Sequence, residues 1–113
     1  MTNLLIETIE DISASGHTPE DIVFIGSRAS EHRCTWDEFR VLADREYNDE
    51  EGGQKVADDL CIMFSDGHMM MRGYNEGCEW WEYHLPFVEP LKSLPIRNLF
   101  AEIGWDSLET LNP

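Results

Sequence analysis

Apolar positions in the first quarter of the chain follow two different spacings. Up to residue 14 they recur every three to four residues with acidic residues between them, which predicts a helix at about residues 3–14, and Gly16 suits its end. Residues 18–21, Thr-Pro-Glu-Asp, are typical of a turn or a short helical start. The apolar run at 22–25 is too short for a helix and predicts a buried strand that ends at Gly26.

A second helix is predicted after a polar segment. Residues 26–34 carry glycine, serine, histidine and arginine, which predicts a loop. Thr35 and Glu38 fit a capping box, in which the threonine side chain accepts from the Glu38 N–H and the glutamate carboxylate accepts from the Thr35 N–H. Apolar residues on successive turns then predict a helix to about Tyr47, and residues 48–53 predict an acidic, glycine-containing loop.

From Leu60 the apolar period changes to two, which is typical of strands. Asp66-Gly67 predicts a hairpin turn of type I′, because both central residues of that turn need a positive φ. Three strands that form an antiparallel meander are predicted at about 60–64, 68–74 and 79–85, with another turn at 75–78. Pro86 and Pro90 are predicted to end the sheet.

Apolar residues near the C-terminus predict a last helix, with Pro95 in its first turn and Gly104 after its end. These residues are Leu91, Leu94, Leu99, Phe100 and Ile103. Residues 105–111 are predicted to add one more helical turn. The element order predicts an α+β fold in which two to three helices pack on the three-stranded meander, and the strand at 22–25 is a candidate fourth strand whose place in the sheet stays open.

Length and composition predict one acidic α+β domain over residues 1–113. Hydrophobic residues make up 42% of the chain, and 4 Trp, 5 Phe and 3 Tyr exclude a disordered acidic tail. No apolar run approaches the ~18 residues of a membrane span, and the N-terminus has acids where a signal peptide has a basic head. We therefore expect a cytoplasmic protein with no membrane partner.

The net charge of the chain is the feature that bears most on its function. The chain has 23 Asp and Glu against 8 Lys and Arg, a formal net charge of −15. Charge of this size repels DNA, RNA and anionic membranes, so no direct nucleic-acid binding is expected. It suits a partner with a basic surface, such as a nucleic-acid-binding protein or complex. The alternative is a solvated acidic face that only keeps the protein soluble.

Acidic residues concentrate between positions 44 and 59. Helical neighbours three or four apart lie about 5–6 Å from each other, and alternate strand residues about 6.6 Å, so acids at these spacings can imitate a row of backbone phosphates. Asp37 and Asp44 are seven apart on the predicted second helix and are expected to share a face, which Glu31 and Glu38 extend. The predicted partner-binding residues are Asp37, Asp44, Glu46, Asp49, Glu50, Glu51, Asp58, Asp59 and Trp80.

Trp80 enters this set because it is adjacent to Trp81. Neighbouring strand residues point to opposite faces of a sheet, so one of the two is expected in the core. The other is either an exposed interface anchor, beside the acids at 79 and 82, or is covered by a helix or by the C-terminal segment.

A cysteine nucleophile is the best enzymatic interpretation. Cys34 precedes the predicted second helix, where the helix dipole would lower the pKa of a thiol. His32, His68 or His84 would then serve as the base. The Cys-His combination alone is unspecific, and the sequence lacks phosphate-loop, dinucleotide and serine-hydrolase motifs, so we do not predict an enzyme.

Metal-ligand spacing is weak. His32 and Cys34 are the only close pair, and the sequence has no C-x-x-C and no H-x-x-x-H. No metal and no cofactor are predicted. The cysteines are odd in number and without paired spacing, which predicts reduced thiols at Cys34, Cys61 and Cys78.

The stretch Leu60–Tyr83, with FSDGHMMMRGYNEGCEWWEY at its heart, resembles small proteins encoded by phages and prophages of proteobacteria. In size and charge the whole chain resembles the anti-CRISPR and DNA-mimic inhibitors of phages. This second resemblance implies expression in the cytoplasm of the host cell and a host DNA-binding complex as the target. No functional residue is carried over from it.

The leading hypothesis is a non-catalytic inhibitor, monomeric or homodimeric, whose acids occupy a basic nucleic-acid-binding site, such as an anti-CRISPR acting on a CRISPR-Cas complex. The first alternative is an immunity protein or antitoxin that neutralises a basic toxin or nuclease. The second is a small enzyme that depends on Cys34. An acidic domain of a larger assembly, or a protein of a high-salt organism, also fits the composition.

Overall fold

The computed structural model describes residues 1–84, 89–90 and 92–113. Over these residues the chain has an α+β fold, which confirms the predicted class. The helices are α1 (Leu4–Ala14), a 3-10 helix (Pro19–Asp21), α2 (Trp36–Ala43) and α3 (Leu108–Leu111). The strands are β1 (Thr2–Asn3), β2 (Ile22–Gly26), β3 (His32–Cys34), β4 (Glu46–Tyr47), β5 (Cys61–Phe64), β6 (Met69–Asn75), β7 (Cys78–His84) and β8 (Leu94–Pro95).

A mixed sheet forms the centre of the molecule. Counted over the described residues it has six strands in the order β7-β6-β5-β2-β3-β8. Its neighbours pair antiparallel except β3 and β8, which are parallel, and β1 pairs with β4 as a separate two-stranded sheet. The sheet is larger than predicted because it includes β3 and β8. These strands are only three and two residues long, which is too short for an alternating apolar pattern to reveal them in the sequence.

The N-terminal elements form where the apolar spacing predicts them. The Asn3 side chain caps α1 by accepting a hydrogen bond from the Ile6 N–H (3.0 Å), and Gly16 follows the helix with a φ of 83°. The 3-10 helix and β2 also lie at predicted positions. Both hydrogen bonds of the capping box form, from the Glu38 N–H to Thr35 Oγ1 (3.1 Å) and from the Thr35 N–H to Glu38 Oε1 (2.9 Å).

The second helix is shorter than predicted, because it ends at Ala43 instead of near Tyr47. Asp44 leaves the helical conformation with a ψ of 70°. The carbonyl of Arg45 then accepts from the Leu4 N–H (3.1 Å), and β4 pairs with β1. Pairing with a distant segment therefore overrides the local helical pattern.

The polar segment 26–34 is not entirely a loop, since it contains β3. Gly26, with a φ of 158°, allows the close approach of β2 to β3. A Cβ added at Gly26 would lie 2.0 Å from the carbonyl oxygen of His32, so no larger residue fits.

The type I′ turn lies at the second hairpin and not at the first. Glu76 and Gly77, with φ values of 51° and 89°, form the two-residue loop between β6 and β7. In the first hairpin Gly67 has a φ of 89°, its N–H donates to the Phe64 carbonyl (2.9 Å), and Asp66 keeps a negative φ. The predicted type I′ turn at Asp66-Gly67 is therefore wrong, because here glycine closes a three-residue loop.

The predicted last helix is also wrong. β8 forms beside β3, and Phe100 makes an isolated bridge with Val56. Leu99 and Phe100 are buried without being helical, so their spacing reflects packing and not a helix. The extra turn predicted at 105–111 is confirmed by α3. Three residues that the predictions named lie outside the described residues: Leu85, Pro86 and Leu91.

Successive residues of a strand point to opposite faces of the sheet, and the apolar residues of the two faces form two clusters. The main core contains Met70 and Trp81 and includes the buried residues of α1 and α2. A smaller cluster contains Phe24, Cys61 and Met69. Within the described residues, no helix is both long enough and apolar enough to cross a membrane.

A buried group of charged and polar side chains lies among the main-core residues. Arg72 of β6 donates to Glu7 Oε2 (3.2 Å) and to Glu79 Oε2 (3.0 Å). Its guanidinium also donates to the Tyr47 hydroxyl (2.9 Å), which donates to Glu7 Oε1 (2.5 Å). Glu79 further accepts from two backbone N–H groups of the 55–56 segment (2.5 and 3.2 Å). We call these four residues the Arg72 network.

Candidate protein-binding surface

The acidic loop at 48–53 is held against the turn between β6 and β7. The Tyr74 hydroxyl donates to the carbonyl of Gly52 (2.8 Å). A Cβ added at Gly77 would lie only 3.3 Å from the Cα of Glu51, so loop and turn are in direct contact. Acids of the loop and the acid of the turn therefore share one region of the surface.

The chain around Trp105 packs against the end of this loop, at residues 53–55. The Trp105 N–H donates to the carbonyl of Gln54 (2.8 Å), and its ring lies against Gly53, where an added Cβ would be 2.8 Å from ring carbons. The ammonium group of Lys55 donates to the carbonyl of Ile103 (2.8 Å). These contacts fix the segment without covering its side chains.

Two large apolar side chains of this segment are exposed to solvent. Ile103 is 80% exposed and Trp105 is 61% exposed. Trp105 also has a φ of 67°, the left-handed region that bulky residues rarely adopt. An exposed tryptophan in this conformation is a candidate interface residue, because neither burial nor local backbone preference accounts for it.

Carboxylates lie on the segments that neighbour these two side chains. The Asp58 N–H donates to the carbonyl of Asp106 (3.2 Å), which connects the 58–59 segment to the same region. Burial raises the pKa of Asp58, and the nearby carboxylates of Asp59 and Asp106 raise it further. We name the whole region the Trp105 surface; it consists of Asp49, Glu50, Glu51, Asp58, Glu76, Glu102, Ile103, Trp105 and Asp106.

The carboxylates of the Trp105 surface are electrostatically uncompensated. Among the described residues none of them forms an ion pair. Lys55, the basic residue beside them, uses its ammonium group on a backbone carbonyl. Unpaired acids in this number create a strongly negative potential that attracts a basic surface.

Half of the sequence-predicted acids belong to this surface: Asp49, Glu50, Glu51 and Asp58. Asp37 and Asp44 do not, and the predicted shared helical face is wrong because Asp44 lies after the end of α2. Asp37 pairs with Arg40 (3.0 Å), and Asp44 accepts from the side chain of Asn3 (2.9 Å). Glu31 and Glu38 do not extend a face either, since Glu31 precedes β3 and Glu38 closes the capping box.

Asp59, Glu46 and Trp80 are not counted in the Trp105 surface, although Asp59 lies beside Asp58 and Glu46 lines a cavity together with Lys55 and Glu102. Asp59 Oδ1 accepts from the backbone N–H of Leu108 (2.7 Å) at the start of α3, which is a structural role. Glu46 is exposed on β4. Trp80 is 36% exposed, and its ring lies over Gly73 of the neighbouring strand, where an added Cβ would be 2.7 Å from Nε1.

Sequence reasoning missed the apolar centre of the surface. The sequence pattern predicts helical segments at Ile103 and Trp105, and Glu76, Glu102 and Asp106 lie outside the acidic run at 44–59. The sequence contains one signal for this region, because both contacting segments contain glycine: Gly52 and Gly53 in the acidic loop, and Gly104 between Ile103 and Trp105. A Cβ at Gly104 would lie 2.8 Å from backbone atoms of Gly53, so the close packing of the two segments requires glycine.

Cys34 does not have the properties of a nucleophile. Its side chain is buried, and this burial, together with the carboxylate of Glu38, raises the pKa of the thiol to about 12. The expected lowering of the thiol pKa by the helix dipole is therefore wrong. Both ring nitrogens of His32 are used, on Ser30 Oγ (2.9 Å) and on the carbonyl of Asn112 (3.0 Å). The thiol is protonated at neutral pH.

No family model, curated protein or solved structure matches this chain. The function is therefore inferred from its own residues and their geometry.

Proposed function

We propose that the protein is a non-catalytic inhibitor whose Trp105 surface occupies a basic nucleic-acid-binding site on a partner protein, such as a CRISPR-Cas complex. The observation that carries this proposal is the placement of two exposed apolar side chains, Ile103 and Trp105, among seven carboxylates that form no ion pair within the described residues. The size and charge of the chain support it as well.

The carboxylates of the Trp105 surface are expected to speed the association with the partner. Carboxylates on an exposed surface steer a basic partner and mainly raise the association rate, which falls as salt screens them. A nucleic-acid-binding site is basic over a length of several phosphates, and its occupation by an acidic protein should exclude DNA or RNA. Binding is therefore expected to weaken with added salt and to compete with nucleic acid.

Apolar contact through Trp105 is expected to slow the dissociation of the complex. Tryptophan is enriched among the residues that contribute most to interfaces, above all where acids or other polar groups form a rim around it. The ring of Trp105 is pre-positioned by Gly53, so little conformational freedom is lost when a partner covers it. Removal of the ring should therefore raise the dissociation rate and leave the association rate nearly unchanged.

The first experiment is a tagged pull-down from a bacterial lysate that contains CRISPR-Cas complexes, eluted with a salt gradient and identified by mass spectrometry. The binding rates of the purified partner are then measured with three variants. Trp105→Ala should raise the dissociation rate at least about tenfold, and Glu50→Gln/Glu51→Gln should lower the association rate at low salt. The matched control is Glu10→Gln/Glu20→Gln, which neutralises two exposed acids outside the Trp105 surface.

Two outcomes would contradict the proposal. The first is a partner whose binding ignores salt and DNA, and the second is equal loss of binding in the control and in Glu50→Gln/Glu51→Gln. A basic toxin or nuclease recovered as the partner would instead support the immunity-protein alternative, in which the same surface serves one dedicated partner.

A further inference from the structure

A second site lies at the hairpin formed by β5 and β6, where its turn and the loop after α1 bring two histidines and a carboxylate together. His17 follows α1, whereas Asp66 and His68 belong to the turn between β5 and β6. His17 Nε2 lies 2.6 Å from Asp66 Oδ2, and His68 Nδ1 lies 3.6 Å from the same oxygen. One donor atom of each residue lies within 4.8 Å of the others. We propose that His17, Asp66 and His68 bind one divalent transition-metal ion of the zinc class.

Hydrogen bonding around His17 presents the ring nitrogen that a metal needs. The Ser15 hydroxyl donates its single proton to the carbonyl of Ile12 (2.7 Å), so toward His17 Nδ1 (3.0 Å) it acts as an acceptor. The Tyr83 hydroxyl lies 3.4 Å from the same Nδ1, but it lies closer to His68 Nδ1, at 2.7 Å, and donates its proton there. Nδ1 of His17 therefore carries a proton, and the lone pair of Nε2 is directed at the carboxylate of Asp66. Two acceptors 2.6 Å apart repel each other unless a cation joins them. A ligating histidine whose other nitrogen donates to an outer partner is the usual arrangement in metal sites.

The other two donors are also held in place. Asp66 Oδ1 accepts from the backbone N–H of His68 (3.1 Å), which leaves Oδ2 free to face the histidines. Gly67, with its φ of 89°, makes the sharp turn that puts Asp66 and His68 on the same side of the hairpin. Phe64 stacks on the ring of His17 with 4.0 Å between centroids and fixes its plane.

The ligand types select the class of metal. Two imidazoles and one carboxylate suit Zn²⁺, Co²⁺ or Ni²⁺, whereas Mg²⁺ and Ca²⁺ prefer oxygen ligands alone. Three protein ligands leave one position of a tetrahedral ion open to water. The Tyr83 hydroxyl lies 2.7 Å from His68 Nδ1 and must release that nitrogen when the metal binds. Removal of this hydroxyl should therefore preserve metal binding.

The other histidines of the chain do not offer such a set within the described residues. His32 is buried and uses both ring nitrogens on protein partners. His84 pairs with Glu82 (3.1 Å) without a third ligating residue among the described ones. Because His84 is an exposed histidine beside a carboxylate, it provides a matched control.

The test is a titration of the purified, chelator-treated full-length protein with Zn²⁺ alone and with Co²⁺ alone. We expect one ion per chain, a Co²⁺ spectrum without the thiolate charge-transfer band that binding at Cys78 would give, and a higher melting temperature with Zn²⁺. His17→Ala and His68→Ala should each lower the affinity at least tenfold. Ser15→Ala should lower it about 10–100-fold through the orientation of His17. Tyr83→Phe should keep the affinity or raise it, and His84→Ala should leave it unchanged.

Circular dichroism of each variant separates loss of the ligand from loss of the fold. The proposal is overturned if folded His17→Ala and His68→Ala bind Zn²⁺ as the wild type does, or if the wild type binds no metal. The second result would mean that a hydrogen bond, and not a metal ion, joins Nε2 to Asp66. The outcome does not depend on the Trp105 surface, which is made of other residues.

Discussion

Acidic residues occupy two opposite environments in this protein. In the Arg72 network the carboxylates of Glu7 and Glu79 are withdrawn from solvent and bonded to one guanidinium. On the Trp105 surface seven carboxylates lie at or near the solvent and have no ion-pair partner among the described residues. The same residue types thus stabilise a fixed arrangement in one place and leave negative charge available to a partner in the other.

This difference distinguishes acids that stabilise the fold from acids that we propose to bind a partner. A buried charge needs its partner, because an uncompensated charge in the core costs several kcal/mol. An exposed acid contributes little to stability, so the fold itself gives no reason for it to be there. Substitutions in the Arg72 network should therefore change stability, and substitutions on the Trp105 surface should change binding.

The largest effect is expected for Arg72→Met. The substitution introduces an apolar side chain of similar length and leaves Glu7 and Glu79 without their cation. Breaking a buried pair in this way costs about 3–5 kcal/mol. Urea denaturation should show a fall of that size in the free energy of unfolding.

Arg40→Met is the control for this substitution. It breaks the exposed pair with Asp37, and it should cost less than about 1 kcal/mol. If Arg72→Met costs no more than Arg40→Met, the Arg72 network does not stabilise the fold and the contrast between the two environments fails.

A second, smaller effect is expected from a pair of substitutions at Trp105. Both Trp105→Gly and Trp105→Ala remove the exposed ring and should weaken partner binding equally. Glycine accepts the φ of 67° without strain, whereas alanine does not, so Trp105→Gly should be more stable than Trp105→Ala by about 1 kcal/mol. Thermal melting would measure this difference; equal stability would mean that the backbone at Trp105 is not strained.

Local patterns predicted the elements whose signals are contained in a few neighbouring residues. The capping box at Thr35 and Glu38, the cap of α1 and the short strand at 22–25 are examples. Predictions failed where distant segments decide the structure. The second helix was predicted too long because the pairing of β4 with β1 depends on residues more than forty positions apart.

The candidate sites were harder to predict than the fold. Net charge indicated that acids matter, but it did not distinguish Glu79, which lies in the core, from Glu76, which lies on the surface. Spacing could not bring His17 next to Asp66, since 49 positions separate them. Trp105 was missed because its exposure depends on packing between two glycine-containing segments and not on any local period.

The pH dependence of stability should reveal the acids that burial removes from water, in the Arg72 network and also at the base of the Trp105 surface. Burial raises the pKa of Glu7 and of Asp58, so the folded state holds protons more tightly than the unfolded chain there. Stability from these groups is present below their unfolded pKa values and is lost as the pH rises through the folded ones. The free energy of unfolding should therefore fall between mildly acidic and neutral pH.

Urea denaturation across that range would measure this slope. Glu7→Gln should flatten it, whereas Glu50→Gln, at an exposed position, should not. A wild-type stability that rises steadily toward neutral pH would contradict the prediction.

The smallest change in stability is expected for Glu50→Gln/Glu51→Gln. Both residues are exposed, and the one hydrogen bond that their carboxylates make among the described residues is a long one, from the Asn48 side chain to Glu51 Oε1 (3.4 Å), which a glutamine at 51 can also accept. The loop is held mainly by backbone groups, such as the carbonyl of Gly52 that accepts from Tyr74. The free energy of unfolding should stay within about 0.5 kcal/mol of the wild type, with any change toward higher stability at low salt because repulsion is relieved. Binding to a basic partner should weaken at low salt and converge with the wild type at high salt. A double variant that unfolds more easily but binds unchanged would mean that these acids, like Glu79, serve the fold.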